Sequence, residues 1–375
     1  MINISFKKVN FIYYFAFYLF FSGCDNDPKM VYKNTTNGNG ISYKIKIIDT
    51  FILKVPVDIP IPHWFNSPND NSYGFSYSYS NIESQTIIEC DVVNKNWKVH
   101  TFNFEGPNGI KGISSFFITD NRDILIFPLV SNDIFVFDTD DNPINKFKYN
   151  EVTWLRGTSF KNHCYYKNNI ILFPSAQYSD FKKFGKSKLI KKINLINKTE
   201  ENIVPVPKDF YQYHSDNSYD QSPEFVFPND SIIVFIMRKS PNIYIYNIST
   251  KETKYYHYPN ENIIYDESDI AKSHNDLDYN NIKGFYHSII YDKGKRYYYR
   301  FSQFNKIKNE YSLKSTRIRI DVFDENISLI ASADFNNLFP SYAFAIKNKL
   351  YVATLKNKEN IINFVVFSVN LRDKK

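Results

Sequence analysis

Three arginines in this chain of 375 residues have side chains suited to an anion-binding site. Arg156, Arg238 and Arg300 each lie in or beside a predicted strand of an internal repeat. A guanidinium group binds carboxylates and phosphates through forked pairs of hydrogen bonds. If the repeats bring their strand ends together, the three arginines could share one anionic ligand. The alternative is that each arginine pairs with a nearby carboxylate, such as Glu151, Glu224 or Asp292.

Two acidic segments could in principle hold a divalent cation. His274, Asp276 and Asp278 lie in an insertion at residues 261–283, and Asp138–Asn142 holds three carboxylates. A calcium loop needs oxygen ligands at fixed spacing together with a turn glycine, and neither segment fits that pattern. A loop or short helix and an ordinary turn between strands are the preferred interpretations. We therefore expect no metal and no cofactor.

No local catalytic motif is present in the sequence. It lacks Gly-x-Ser-x-Gly, His-Glu-x-x-His and a glycine-rich phosphate loop. This favours a binding or scaffold protein. A hydrolase or lyase that acts on envelope or extracellular polymers stays open, because an active site assembled from distant loops would leave no local pattern.

The N-terminus has the layout of a bacterial lipoprotein signal. Lys7 and Lys8 precede an apolar run, Phe11–Phe21, which leads through Ser22 and Gly23 into Cys24. The run is too short for a membrane-spanning helix, which needs about 20 residues, so a cleaved signal fits better. The sequence predicts a signal peptide at residues 1–23 and lipidation of Cys24. An ordinary secretory signal, with Cys24 accidental, is the alternative.

The segment after the predicted cleavage point is polar. Residues 24–40 contain several asparagines and glycines and read as a flexible tether, followed by one folded domain at residues 41–375. Lipidation would place this domain in the cell envelope, at the outer membrane, either on its periplasmic face or on the cell surface. The predicted partners are thus the membrane, through the N-terminal lipid, and an envelope ligand or protein of unknown identity.

The distribution of charge argues against nucleic-acid binding, and the cysteines leave two possibilities open. Removal of Lys7 and Lys8 with the signal lowers the formal net charge from +7 to +5. The basic residues are scattered, whereas a nucleic-acid site concentrates them in a patch or stripe, so we expect no nucleic-acid partner. Cys90 and Cys164 could form a disulfide after export or could be two free thiols.

The body of the chain repeats a pattern of apolar strands separated by polar turns. One copy comprises the strands 124–128, 133–138 and 144–147, and related copies begin near residues 170 and 231. Less regular copies flank these three, which gives six units of about 55 residues. Repeats of this length are typical of β-propellers. In several copies the second strand ends in Asp or Asn.

The composition of the strands favours the same fold. Ile232–Met237 is apolar at every position, so both of its faces must be covered. Ser42–Val55 precedes the first unit, and the last unit lacks an outer strand. The sequence thus predicts an all-β protein, a propeller of six blades closed by an N-terminal strand, with five or seven blades as alternatives.

One tyrosine-rich stretch carries a more specific signal. Tyr286–Asp292 followed by Arg296–Phe301 resembles the "IYD…YYR" stretch of a family of Bacteroidetes lipoproteins classed as a domain of unknown function. The resemblance extends from about Ser42 to Leu371 and implies a six-bladed, TolB-like propeller in the envelope. It implies no activity and no catalytic residues.

Overall fold

The computed structural model describes residues 43–54, 74–80, 84–106, 108–119, 122–128, 131–148, 165–174, 187–209, 223–260, 263, 284–305, 316–354 and 361–371. In chain order the strands are β1 (Tyr43–Lys54), β2 (Gly74–Ser80), β3 (Ser84–Asp91), β4 (Asn96–Asn103), β5 (Ile113–Ile118), β6 (Ile124–Pro128), β7 (Asp133–Phe137), β8 (Pro143–Lys148), β9 (Tyr165–Lys167), β10 (Ile170–Pro174), β11 (Lys188–Asn194), β12 (Thr199–Pro205), β13 (Pro223–Asn229), β14 (Ile232–Met237), β15 (Asn242–Asn247), β16 (Thr253–His257), β17 (Phe285–Asp292), β18 (Tyr297–Asn305), β19 (Thr316–Phe323), β20 (Leu329–Asn336), β21 (Leu338–Ile346), β22 (Lys349–Thr354) and β23 (Ile361–Leu371). The described residues form no helix, and the all-β prediction is confirmed.

These strands form antiparallel sheets of consecutive strands, which we number I to VI in chain order. Sheet I is β2-β3-β4, sheet II is β5 to β8, sheet III is β9 to β12, sheet IV is β13 to β16, and sheet V is β17 to β20. Sheet VI takes strands from both ends of the described chain, in the order β1-β23-β22-β21. In it, β1 pairs with β23 from Tyr43 opposite Leu371 to Lys54 opposite Ile361.

The predicted repeat units coincide with these sheets, but each central unit has one strand more than the sequence indicated. The first strands of sheets II, III and IV, namely β5, β9 and β13, were not part of the predicted units. They carry weak strand signals: β9 is only three residues long, and β13 begins with Pro223 and Glu224. Strand pairing with the next strand along the chain, rather than local composition, defines them.

Sheet IV is covered on both faces by neighbouring sheets. In β14, Ile233, Val234, Phe235 and Ile236 are all buried, although successive side chains of a strand point to opposite faces. Phe235 belongs to an apolar cluster shared with sheet III, and Val234 to one shared with sheet V. The prediction that this strand is covered on both faces is confirmed.

The Asp or Asn that recurs in the repeat has a local structural role. Asp138, Asn194, Asn247 and Asp324 each stand at the turn between the third and fourth strands of a sheet. In each case a side-chain oxygen accepts a backbone N–H from two residues ahead, at 2.9–3.0 Å. Such turns satisfy backbone donors that the strands leave unpaired. At Asp138–Asn142 the structure has the predicted turn.

The two ends of the sheets differ in how the chain connects the strands. At one end, first strands join second strands and third join fourth through short turns, which include Asn168–Asn169 and Lys347–Asn348 with positive φ angles. At the other end the strands lead into the links from second to third strands and from sheet to sheet. The described parts of these links include residues 206–209 and 258–260. We call the two ends the turn end and the connection end.

Candidate functional site

Arg300 of β18 is buried where sheets IV and V meet. It is 1% exposed, and its guanidinium lies 4.5 Å from the ring centroid of Tyr286. Its Nε and Nη2 donate to Oδ2 of Asp321 at 3.3 and 2.8 Å. Nη1 donates to the carbonyl of Pro241 and Nη2 to that of Tyr258, at 2.9 and 2.7 Å. All three nitrogens thus bind protein acceptors, so Arg300 fastens the two sheets together.

The carboxylate that pairs with Arg300 was not the one expected from the sequence. Asp321 lies on the adjacent strand β19, directly opposite Arg300 in the register. Asp292, the nearby carboxylate considered from the sequence, instead accepts the backbone N–H groups of Gly294 and Lys295 at 2.9 and 3.3 Å. Cross-strand register, and not proximity along the chain, selects the partner.

Arg238 lies at the connection end, directly after β14. Its guanidinium stacks over the ring of Phe285 at 4.1 Å, and His287 stacks on the same ring with centroids 5.7 Å apart. The Arg238 side chain is half-buried. Its neighbour Lys239 donates from Nζ to the carbonyl of Gly284 at 3.3 Å. A row of cationic and aromatic side chains thus lies at the start of β17, and it comprises Arg238, Lys239, Phe285 and His287.

Gly284 allows the chain to enter β17 beside this row. Its φ of +140° is rarely adopted by residues with a side chain. A Cβ atom there would lie 2.9 Å from the carbonyl oxygen of Gln303. The close approach of backbone to backbone therefore requires glycine at this position.

A separate group of polar side chains lies at the connection end of sheet IV, built on the β15–β16 hairpin. Asn242 and His257 face each other in the register, and Nδ1 of His257 lies 2.8 Å from Oδ1 of Asn242. Nδ2 of Asn242 donates to Oδ2 of Asp209, which also accepts from Tyr244 Oη at 2.8 Å. Ser240 Oγ is 2.7 Å from the same hydroxyl. The five side chains form one hydrogen-bonded network.

The electrostatics of this network favour a neutral imidazole. Burial and the positive charge of Arg300 lower the pKa of His257 below its ordinary value, while Asp209 opposes them. Burial, followed by the charge of Asp209, raises the pKa of Tyr244 well above its ordinary value, so Tyr244 stays a phenol. At neutral pH the network thus consists of the phenol of Tyr244, the amide of Asn242 and an uncharged imidazole on His257, grouped around the carboxylate of Asp209.

A buried charge cluster at the turn end has a different character. His100 is fully buried, with Nε2 3.0 Å from Oε1 of Glu89 and Nδ1 hydrogen-bonded to Oδ1 of Asp141. Arg122 donates to the second oxygen of Glu89. The cluster links sheet I to turns of sheet II. It is best explained as a fastening between sheets.

The structure tests the sequence-predicted site only in part. Arg238 and Arg300 both stack on residues at the start of β17, but Arg238 is at the connection end and Arg300 is enclosed. Arg156, Cys24, Cys164 and the segment with His274, Asp276 and Asp278 lie outside the described residues. The shared anion site therefore stays a prediction. In the described part of the chain, no cluster of His, Cys, Asp or Glu side chains is arranged to hold a metal ion.

Sequence reasoning missed the network around His257. A signal was available, because the predicted strands 242–247 and 253–256 form a hairpin whose register places Asn242 opposite His257. No such signal existed for Asp209, which enters the network from the connection between sheets III and IV.

Antiparallel sheets that pack face to face, with polar side chains gathered at one end, are typical of β-propeller-like proteins. The chain belongs to the family DUF4221, described as a domain of unknown function, whose profile matches residues 48–331. This confirms the resemblance carried by Tyr286–Phe301. No curated protein is significantly similar to the chain in sequence.

Several solved structures are similar to this chain. A DUF4221 member from Bacteroides vulgatus is 12% identical, with 88% of this chain and 99% of that chain covered and a TM-score of 0.62. A predicted exported protein from Bacteroides fragilis is 12% identical, with 88% and 96% covered and a TM-score of 0.46. Virginiamycin B lyase from Staphylococcus aureus is 12% identical, with 88% and 96% covered and a TM-score of 0.41.

Proposed function

We propose that this protein is a lipid-anchored binding protein of the bacterial cell envelope. Its ligand is an anionic envelope molecule, which binds at the connection end of sheets IV and V. Among the described residues, no helix has the length and apolar character needed to cross the membrane. The lipid on Cys24, followed by the tether of residues 24–40, would hold the folded domain at the membrane.

The folded domain is a six-bladed propeller closed by the N-terminal strand. Each of the six described sheets supplies one blade, and the apolar clusters support a ring. Each cluster combines two sheets: I with II, II with III, III with IV, IV with V, V with VI, and VI with I. The last of these brings Leu53 of β1 and Ile88 of β3 together with Phe364 of β23.

One observation carries the binding function: cationic, aromatic and polar side chains from separate chain segments meet at the connection end. Loops at one end of a rigid sheet array are where binding residues concentrate. The guanidinium of Arg238 is oriented by its stacking on Phe285, and Lys239 adds a second positive charge next to it in the chain. Such a pair favours a carboxylate or phosphate on the ligand.

A binding measurement with charge-matched polymers tests this role. Full-length protein in detergent micelles should bind polygalacturonate but not neutral dextran. Arg238→Gln should weaken binding about tenfold, since a hydrogen bond to a charged group contributes about 1.5–3 kcal/mol. The matched control is Lys251→Gln at the turn end of sheet IV, which should bind as the wild type does. Equal affinity of Arg238→Gln and wild type would refute the assignment.

Metabolic labelling tests the anchor separately. In a Bacteroidetes host, a fatty-acid analogue should label the wild type and should not label Cys24→Ala. Protease added to intact cells then distinguishes the cell surface from the periplasmic face. Unlabelled, freely secreted wild-type protein would remove the envelope location from the proposal.

A propeller enzyme, a hydrolase or lyase of envelope or extracellular polymers, is the second candidate. The observation that favours it is the half-buried imidazole of His257, whose pKa is lowered by burial and by the charge of Arg300, because a neutral histidine can accept a proton from a substrate. Chromatography of envelope polysaccharides after incubation with the protein decides between the candidates. Chain shortening that is lost in His257→Gln would support the enzyme, and intact polymer would support the binder.

A further inference from the structure

Exposed large apolar side chains are concentrated on two neighbouring pieces of the chain. Among the residues that the structure describes, seven such side chains are exposed, and five of them lie on β1 or on the β3–β4 hairpin. The five are between 42 and 61% exposed and comprise Ile47, Ile48, Ile52, Val93 and Val99. Single exposed apolar residues are ordinary, whereas a contiguous group of them marks an interaction surface.

Direct contacts place the β3–β4 hairpin beside β1. Nε1 of Trp97 donates to the carbonyl of Lys54 at 3.1 Å. Nζ of Lys95 lies 5.8 Å from the ring centroid of Phe51. Both aromatic rings also pack against the apolar cluster between sheets VI and I. The two pieces of chain are therefore held together by polar and apolar contacts.

β1 and residues 91–99 form one surface, which we call the β1 rim. Val99 follows Trp97 by two positions, so both side chains lie on the face of β4 that is turned toward β1. Val93 lies in the turn that carries Lys95. β1 is the edge strand of sheet VI, and an exposed apolar edge strand favours association with another surface.

The charged residues of the β1 rim are mainly basic. They are five lysines and two aspartates, namely Lys44, Lys46, Lys54, Lys95, Lys98, Asp49 and Asp91. The carboxylate of Asp91 accepts the backbone N–H groups of Val93 and Asn94 at 2.9 Å within its own turn. Lysines interspersed with apolar side chains match the chemistry of an anionic lipid surface.

The predicted lipid lies close to this rim along the chain. β1 begins at Tyr43, so only residues 25–42 separate it from Cys24. A flexible chain of this length spans roughly 20–25 Å on average. The lipid would thus hold the rim near the bilayer, and a weak affinity is then sufficient because the contact is intramolecular.

We propose that the β1 rim is a membrane-docking surface that lies on the headgroup region of an anionic lipid bilayer. Its apolar side chains enter the boundary between headgroups and acyl chains, and its lysines bind lipid phosphates. The rim belongs to sheets VI and I, so docking uses no residue of the ligand site on sheets IV and V. This inference rests on the proposed lipid anchor and adds a second contact with the same membrane.

Quenching of tryptophan by brominated lipids tests the apolar contact. Lipidated full-length protein is reconstituted in vesicles of brominated phosphatidylcholine and phosphatidylglycerol. Ile48→Trp places a fluorophore on the rim, and Ile196→Trp, in an exposed turn of sheet III, is the matched control. Fluorescence added by Ile48→Trp should be quenched at least about twofold more strongly, because interfacial apolar groups lie about 5–10 Å deep. Equal quenching of the two variants would overturn the inference.

The charge of the vesicles tests the lysines. Quenching of Ile48→Trp should fall in vesicles of phosphatidylcholine alone. In anionic vesicles, the same fall should follow from the combined substitutions Lys44→Gln, Lys54→Gln and Lys95→Gln. The control combines substitutions of three exposed lysines of sheets III and IV, namely Lys188→Gln, Lys198→Gln and Lys254→Gln. Quenching that ignores lipid charge, or that falls equally in both triple variants, would contradict binding to anionic lipid.

The emission wavelength distinguishes a protein partner from lipid. If Ile48→Trp emits at a blue-shifted wavelength but brominated lipid does not quench it, protein covers the rim. A second copy paired along β1 would have this effect, and the proposed docking to lipid would then be wrong.

Labelling of Cys24 separates this inference from the anchor. If Cys24 is labelled but Ile48→Trp is not quenched, the docking surface fails and the anchor stands. If Cys24 carries no lipid, the anchor fails, and flotation of the secreted wild type with anionic vesicles tests the rim alone. Flotation that is lost in the rim lysine variant would support the docking surface, and a wild type that does not float would overturn it.

Discussion

Nη2 of Arg300 lies 2.8 Å from Oδ2 of Asp321, and both side chains are buried between two sheets. The pair is not isolated, because two backbone carbonyls and the ring of Tyr286 complete the surroundings of the guanidinium. Ser332 donates to the other oxygen of Asp321 at 2.7 Å. A buried ion pair offsets its desolvation only when its remaining donors and acceptors are satisfied in this way.

Removal of one partner of this ion pair should strongly destabilise the protein. Arg300→Met leaves Asp321 as an unpaired buried carboxylate, and we expect the free energy of unfolding to fall by about 3–5 kcal/mol. Denaturation with guanidinium chloride, followed by tyrosine fluorescence, measures this change. The matched control is Arg296→Gln, which breaks the exposed pair with Glu325 and should leave the unfolding midpoint unchanged. Similar midpoints for both variants would mean that the buried pair contributes nothing.

The pairing of β1 with β23 predicts that substitutions at two adjacent residues differ in their effect on stability. Leu53 is 3% exposed and packs in the cluster between sheets VI and I, whereas Ile52 is 61% exposed. Leu53→Ala should destabilise the protein by about 2–5 kcal/mol through lost contacts and a cavity. Ile52→Ala should leave stability nearly unchanged. If both variants unfold like the wild type in urea, β1 does not belong to the cooperative core.

Cys90 should behave as an inert thiol. It is a free cysteine, fully buried in the cluster between sheets VI and I. Burial, reinforced by the charge of Asp91, raises the pKa of this thiol far above its ordinary value. Because the thiolate is the reactive form, N-ethylmaleimide should modify Cys90 only after unfolding, as measured by peptide mapping at pH 8. Rapid modification of the folded protein would show that this cluster opens.

The burial of Asp292 predicts that the stability of the protein depends on pH. Burial raises the pKa of its carboxyl group above the ordinary value, although two backbone N–H groups oppose the shift. A carboxyl whose pKa is raised by folding is accommodated best when protonated, so its contribution to stability is lost as the pH rises through the folded-state pKa. Asp292→Asn keeps an acceptor for Gly294 and Lys295 without the charge.

Melting temperatures at several pH values test this prediction. The stability of Asp292→Asn relative to wild type should increase from pH 4 to pH 7. The same comparison for Asp324→Asn, an Asp in the equivalent turn position of sheet V at the turn end, provides the control. A relative stability of Asp292→Asn that falls over this range would show that the carboxylate is favoured by the fold.

Much of the architecture could be read from the sequence because its signals are local. The apolar run in β14, the recurrent Asp or Asn at the turns and the tyrosine-rich stretch around β17 identified strands, their turns and the family. Strands such as β9 were missed because three residues carry too little pattern. Their assignment depends on hydrogen bonds to the next strand.

The candidate site was less predictable, since its chemistry depends on which side chains face each other. From the sequence, Arg238 and Arg300 are equivalent arginines at repeat strands. In the structure one lies at the connection end and the other is enclosed by Asp321, Pro241 and Tyr258. That difference arises from cross-strand register and from packing between sheets, neither of which one strand encodes.

The sequence by itself determined the all-β class, the turn chemistry and the family of this protein, because apolar runs and turn residues act within a few positions along the chain. Only the tertiary structure decided that Asp209 orients Asn242 against His257 and that Arg300 is withdrawn from the surface. Those relationships join residues that are 15 to 59 positions apart. Such contacts form only when whole sheets pack, and their energies depend on burial that no local pattern specifies.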